Sequence, residues 1–425
     1  MVYTYKNTGI EWLGEIPEHW IFDRVKDVSQ LRDDKTLIKS EELNYLELED
    51  IEQGTGKILG YRNTTEVASA VMKFKKGDVL FGKLRPYLEK YYYADIDGLC
   101  TGEILAIEPK RIYGKFLNYF VGSPNFIKQC NVFSYGTKMP RVNWNTQIGT
   151  FNIPLPPLPE QKAIANYLDK ACERIDKIIA IKQKQLEKIE GYYNSKVHEI
   201  ITKGIDNSIE LIDSEIDWQG FVPKHWKREK LFRLSEKMGS GGTPKSSNQE
   251  YYDGDIPWIQ SGDLNDGIVS KTKKNINERA IAESSAKIFD KGTILIAMYG
   301  ATIGKLGIMA MDAATNQACC AIQISSKLDS LFLFHLLYDM RKYLISNGYG
   351  GGQSNISQEV LKQQYFFYPS INEQNKIVDF IIDFQNKTTY LKEKLNDQIT
   401  TLQSYRKSLI HECVTGKKQV WEETL

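Results

Sequence analysis

Two glycine-bearing stretches place cations beside tyrosine, the residue types that suit contact with phosphate. The first is Gly82-Lys83-Leu84-Arg85-Pro86-Tyr87. The second is Tyr299-Gly300-Ala301-Thr302-Ile303-Gly304-Lys305. Small residues let a phosphate backbone come close, and Lys83, Arg85 and Lys305 would neutralise it. Arg85 has the further capacity to reach guanine in a major groove. An ordinary solvated loop is the alternative for both. Gly300–Lys305 also imitates a nucleotide-binding loop. That motif needs four residues between its glycines and a Ser or Thr after the lysine to meet Mg²⁺. Here there are three residues and then Leu306, so nucleotide binding is not expected.

Three further loops carry side chains that hydrogen-bond base edges and phosphates. Ser240–Lys245 offers Thr243 and Lys245. Ser134–Arg141 offers Thr137, Lys138 and Arg141, and Gly348–Asn355 offers Gln353, Ser354 and Asn355. The last two hold corresponding places in the two halves of the chain but differ in chemistry. Two readers of two short sequences would look like this, and so would drift after a duplication.

Catalytic constellations are missing from the sequence. Of the histidines, His19 pairs with His225 and His198 with His411 as repeat equivalents, leaving His335. His19 and His225 each lie between a proline and a tryptophan at a domain entrance, which favours a structural role. No His/Cys/Asp cluster has metal spacing, and no GxSxG elbow stands between a strand and a helix. The six cysteines show no CxxC pair. With no signal-peptide pattern and no membrane-length apolar run, a reduced cytoplasmic setting is expected. The formal net charge of +1 does not announce a nucleic-acid binder, yet leaves room for a local basic groove.

The elements that must position these loops follow from an internal repeat. Trp12-Leu-Gly-Glu-Ile-Pro-Glu-His-Trp20 returns as Trp218-Gln-Gly-Phe-Val-Pro-Lys-His-Trp226, an offset of 206. Glu160-Gln161 returns as Glu373-Gln374 and His198-Glu199 as His411-Glu412, both at 213. The second globular part therefore carries a net insertion of seven residues. Four segments result: a globular part over 1–158, a long helix over 159–204, a second globular part over 205–371, and a second long helix with tail over 372–425. The first helix carries Ile164, Leu168, Ala171, Ile175 and Ile178, then Leu186, Ile189, Tyr193 and Val197. The second carries Ile377, Ile381, Phe384, Leu391, Leu395, Leu402, Tyr405 and Leu409. Each is a coiled-coil-like seam near a 3.5 period. At 1.5 Å per residue the first helix spans about 65 Å. Neither helix buries its own seam, so antiparallel packing of the two is expected.

The motifs together resemble the specificity (S) subunit of a Type I restriction-modification system. The carriers are the doubled Trp-x-Gly-x-x-Pro-x-His-Trp opening, Gly241–Lys245, Tyr251–Ile259, Gly300–Lys305 with Thr315–Gln317, and Ile153–Gln161 before the first helix. Tyr368–Gln374 departs from the last of these, with one proline instead of several. The resemblance implies an α+β, pseudo-two-fold chain. Two target-recognition domains, each a small mixed β-sheet with helices, would be joined by two long antiparallel coiled-coil helices that act as a spacer. It implies a non-catalytic, DNA-binding subunit that reads one half of a bipartite double-stranded DNA site with each domain. Two methyltransferase (M) subunits and two restriction/motor (R) subunits would be its partners, with no membrane. S-adenosylmethionine, ATP and Mg²⁺ would sit on those partners and no cofactor on this chain. The alternative is a non-catalytic scaffold whose two-fold helical surface binds a partner dimer.

Overall fold

A computed structural model describes residues 4–37, 44–62, 70–347 and 355–420. The chain forms two compact units, Met1–Lys184 with Leu395–Leu425, and Gln185–Lys394. The division falls inside the long helices because each globular part packs on the start of the helix that follows it and on the end of the other.

In the first unit the main sheet is antiparallel, in the order Ser29–Leu31, Ile104–Pro109, Val79–Gly82, Tyr91–Tyr93. A second four-stranded sheet contains Tyr45–Leu46 and Gly98–Cys100 as a parallel pair. The second unit repeats the plan. Its main sheet runs Ser235–Ser240, Cys319–Ile324, Ile294–Ala297, Leu306–Met309, Gly267–Val269, and the last pair is parallel. Its second sheet runs Lys274–Ile276, Ile256–Ile259, Ala313–Thr315, Ile288–Phe289. The mixed α+β class and the duplication expected from sequence are both present.

The strands are short, β-branched or aromatic runs that bury both faces, as in Val79–Gly82 and Ile294–Ala297. The helices Gly114–Val121 and Ser330–Asp339 close the two cores. In the first unit Phe116, Phe120 and Phe126 meet Trp20, Ile164, Leu168, Leu409 and Ile410 in one cluster. In the second, Phe332 and Leu336 meet Trp226, Val197, Ile377 and Ile381. Each such side chain, once fully buried, stabilises its unit by about 1.5–3 kcal/mol.

The long helices are Leu158–Lys203 and Ile371–Val414. Each is stopped by a glycine beyond its end at positive φ, Gly204 at 76° and Gly416 at 75°. Within each unit the two helical segments run antiparallel. In the first, Asp176 pairs with Arg406 at 3.3 Å and Lys182 with Gln398 at 2.7 Å. In the second, Tyr193 stacks on Phe384 at 5.7 Å and Lys392 pairs with Glu190.

The seam departs from the expected one in detail. Ile178, Leu391 and Tyr405 are exposed. Thr388, Ile399 and Arg406 are buried instead, with Lys392, Leu395 and Leu402 partly covered. A 3.5 period drifts about 20° per heptad on a straight α-helix, so one register cannot stay on the contact face along the whole length.

Candidate nucleic-acid interface

Both globular parts are fixed to their helices by the same device. Trp20 Nε1 donates to Glu160 Oε1 at 3.0 Å, and His19 Nε2 lies 2.9 Å from Oε2. Trp226 Nε1 and His225 Nε2 meet Glu373 at the same two distances. The glutamates stand in the first turn of their helices, where a negative charge is favoured. The next residue adds a second tie. Gln161 Oε1 accepts from Tyr113 N at 2.7 Å and its Nε2 donates to Pro156 O. Gln374 does the same with Asp329 N, Pro369 O and Lys327 O. His19 and His225 are therefore architectural, as their sequence setting indicated.

On that frame the glycine–cation loops are β-hairpins. Phe81 pairs with Tyr91 across the first and Ile296 with Leu306 across the second. Gly300–Lys305 thus turns back into a strand, and no long helix follows it as a nucleotide-binding loop requires. Equivalent backbone bonds hold both. Val142 N donates to Lys83 O at 3.0 Å, and Ile356 N to Met298 O at 2.8 Å.

In the first unit the candidate residues come together. Arg85 N donates to Pro140 O at 2.7 Å, and Leu84 bridges Arg141. The two loops, 83–87 and 137–141, therefore share one edge. Arg85, Tyr87, Thr137 and Lys138 are exposed and Lys83 is half-buried. Arg85 is held at φ 51°, a left-handed conformation that costs a non-glycine residue about 1–2 kcal/mol.

Arg141 differs from its expected role as a freely presented reader. Its guanidinium is bidentate on Glu103, at 3.2 and 3.3 Å, and the hydrogen bond to that carboxylate raises its pKa. Arg141 is a tie that shapes the loop. Glu103, 38 residues away, gave no signal in the sequence because only the folded sheet edge brings the two together.

In the second unit Tyr299 and Lys305 are exposed and Thr302 is half-buried on the hairpin. Asn355 is exposed and adjoins Ile356, which bonds the hairpin at Met298. Gln353 and Ser354 lie outside the described residues. Thr243 and Lys245 are exposed on a rigid loop. A Cβ on Gly241 would fall 1.9 Å from Thr315 O, and one on Gly242 would fall 2.0 Å from Ser285 Oγ. The two glycines are thus required by close approach, and Thr243 Oγ1 beyond them hydrogen-bonds Gln317 Oε1. That bond links two motifs separated by more than 70 residues. Among the described residues no group of three or more His, Cys, Asp or Glu is placed to hold a metal ion. No described helix is long and apolar enough to cross a membrane.

Comparison with known proteins agrees with this architecture. A family model for the Type I restriction modification DNA specificity domain matches residues 17–191 and again 223–401. The putative type I restriction enzyme MjaX specificity subunit of Methanocaldococcus jannaschii is 26% identical over 424 residues, covering 92% of this chain and 94% of that protein. The MjaIX specificity subunit of the same organism is 34% identical over 187 residues. That alignment spans 41% of this chain and 43% of the relative, less than half of each. Among solved structures, a chain from a type I R-M system assembly aligns with TM-score 0.73 at 20% identity, covering 95% of this chain and 99% of the other. The HsdS subunit of Thermoanaerobacter tengcongensis aligns with TM-score 0.56 at 20% identity, covering 95% and 98%. At these identities the structural matches speak to the fold.

Proposed function

This chain belongs to the Type I restriction modification DNA specificity family, whose model matches it twice, and on that footing we propose that it reads a bipartite site in double-stranded DNA, one globular part per half-site. The observation that carries this reading is the pair of equivalent hairpins. They occupy the same place on the same sheet, yet one presents Lys83, Arg85 and Tyr87 and the other Tyr299, Thr302 and Lys305. A duplicated scaffold with divergent exposed donors suits two different short sequences.

In this reading the chain performs no chemistry. Two methyltransferase subunits bind S-adenosylmethionine and methylate adenine, and two motor-nuclease subunits use ATP and Mg²⁺. The long helices set the gap between half-sites. Their exposed apolar residues, among them Tyr192, Tyr390, Leu391 and Tyr405, are the surface on which partners dock. The complex works in the cytoplasm. The same exposed residues would also serve a scaffold that binds a protein dimer and no DNA. Gel-shift with the partner subunits present separates the two. Sequence-dependent retardation of a duplex is expected, and its absence favours the scaffold.

A further inference from the structure

The seven-residue insertion in the second half has a definite place. Ser29 Oγ bonds Val25 O, and Ser235 Oγ bonds Leu231 O, so these serines are equivalent. Glu47 and Gln260 are equivalent as well, each heading a short 3-10 turn with a capping box. Ser29 precedes Glu47 by 18 residues and Ser235 precedes Gln260 by 25. The extra residues therefore lie between Ser235 and Gln260, a stretch that includes the rigid Gly241–Lys245 loop and the turn Gln249–Tyr252.

That stretch forms one wall of a polar cleft of about 550 Å³. Its floor is aromatic. Trp258 is buried and donates to Gly242 O at 3.2 Å, and Tyr252 donates to Pro244 O at 2.7 Å. The opposite wall is Thr272–Asn275, at the edge of the second sheet, where Lys274 pairs with Trp258. The Lys274 ammonium lies 5.7 Å over the Tyr252 ring. Lys273 and Lys274 line the cleft, and Lys245 and Lys271 adjoin its walls in sequence. None of the four has a carboxylate partner among the described residues, although Asp253 also lines the cleft. Four like charges with no counter-ion are a site awaiting an anion. Two amides face the same space with one end already fixed. Gln249 Nε2 donates to Ser246 O, leaving its oxygen. Asn275 Oδ1 accepts from Thr272, leaving its amide donor.

We infer that this cleft is a DNA-contacting subsite of the second domain, in which Lys273 and Lys274 hold backbone phosphates while Gln249 and Asn275 meet base edges of the half-site. The inference rests on the DNA reading above and adds residues that neither the glycine loops nor the hairpins contain. The first domain has a shorter connection at this place, so the subsite belongs to one half-site alone.

The test uses the full chain assembled with its methyltransferase subunits. Lys273→Ala with Lys274→Ala should weaken binding to all sequences and lower the slope of log K against log salt by about 1.8, close to 0.9 per phosphate. Gln249→Ala and Asn275→Ala should each cost about ten- to a hundredfold at one position of the second half-site, with the first half-site read as before. Amine-reactive footprinting of the wild-type complex, with and without a cognate duplex, should show Lys273 and Lys274 protected by DNA. It reads the subsite even if a variant fails to fold. Specific wild-type binding with both lysines still reactive, or with an unchanged salt slope in the double variant, overturns the subsite and leaves the DNA reading standing. Wild-type binding with no sequence preference overturns both.

Discussion

Trp20 Nε1 donates to Glu160 Oε1 at 3.0 Å, and Trp226 Nε1 donates to Glu373 Oε1 at 3.0 Å. In each unit one carboxylate at the start of a long helix thus holds the indole and the imidazole of the preceding domain's opening motif. A loop that reads DNA is useful only if its domain is fixed in angle to the helix that carries it. Glu160→Ala and Glu373→Ala should each destabilise the chain by about 1–3 kcal/mol, since the buried indole N–H loses its acceptor. Denaturant unfolding of the single variants measures this, and unchanged midpoints would refute the role.

Arg85 offers a way to separate strain from binding. Its φ of 51° suits glycine. Arg85→Gly should raise stability by about 1 kcal/mol while weakening DNA binding through the first domain. Thermal unfolding and salt-dependent binding of one variant give both values. A gain in stability with unchanged affinity would remove Arg85 from the interface.

Two histidines of the second unit respond to pH in opposite senses. Burial pushes the His335 imidazole down to about 4. Its unfolded form takes up a proton near pH 6.5, so this residue lowers stability as pH falls from 6.5 toward 4. His198 is raised by its 2.7 Å hydrogen bond to Asp339. Its contribution is complete below pH 6.5 and is lost as pH rises through the raised value. Between pH 7 and pH 5 the wild type should lose about 2 kcal/mol more than His335→Gln does. Unfolding curves at the two pH values give the comparison, and parallel losses would show that His335 is solvated.

The architecture was largely legible because it is written twice. The offset of 213 at both ends of the helices located Leu158–Lys203 and Ile371–Val414 to within a residue. The runs at Ile256–Ile259 and Ile294–Ala297 are strands because nothing in them breaks a pleat. What was not legible depends on pairings between distant residues. Arg141 looked like a free cation until the fold placed Glu103 beside it. Ile178 and Tyr405 fitted a seam by spacing, but helix geometry turns them to solvent. The polar cleft joins Gln249 to Asn275 through an edge strand whose register the sequence does not state.

If the long helices set the distance between half-sites, their length is a parameter of recognition. Four residues added to each helix at matched positions, near Lys184 and near Leu395, extend both by about 6 Å. The recognised gap should lengthen by about two base pairs at 3.4 Å each. An unchanged gap with retained activity would mean that the helices do not measure it.

The most direct measurement is long-read methylation mapping in cells that carry the chain with residues 1–158 replaced by the corresponding domain of another family member. The donor must keep the tryptophan and histidine that meet Glu160. The expected result is a methylated motif in which one half is new and the other half is unchanged. A motif altered in both halves, or in neither, would contradict one-domain-per-half-site recognition.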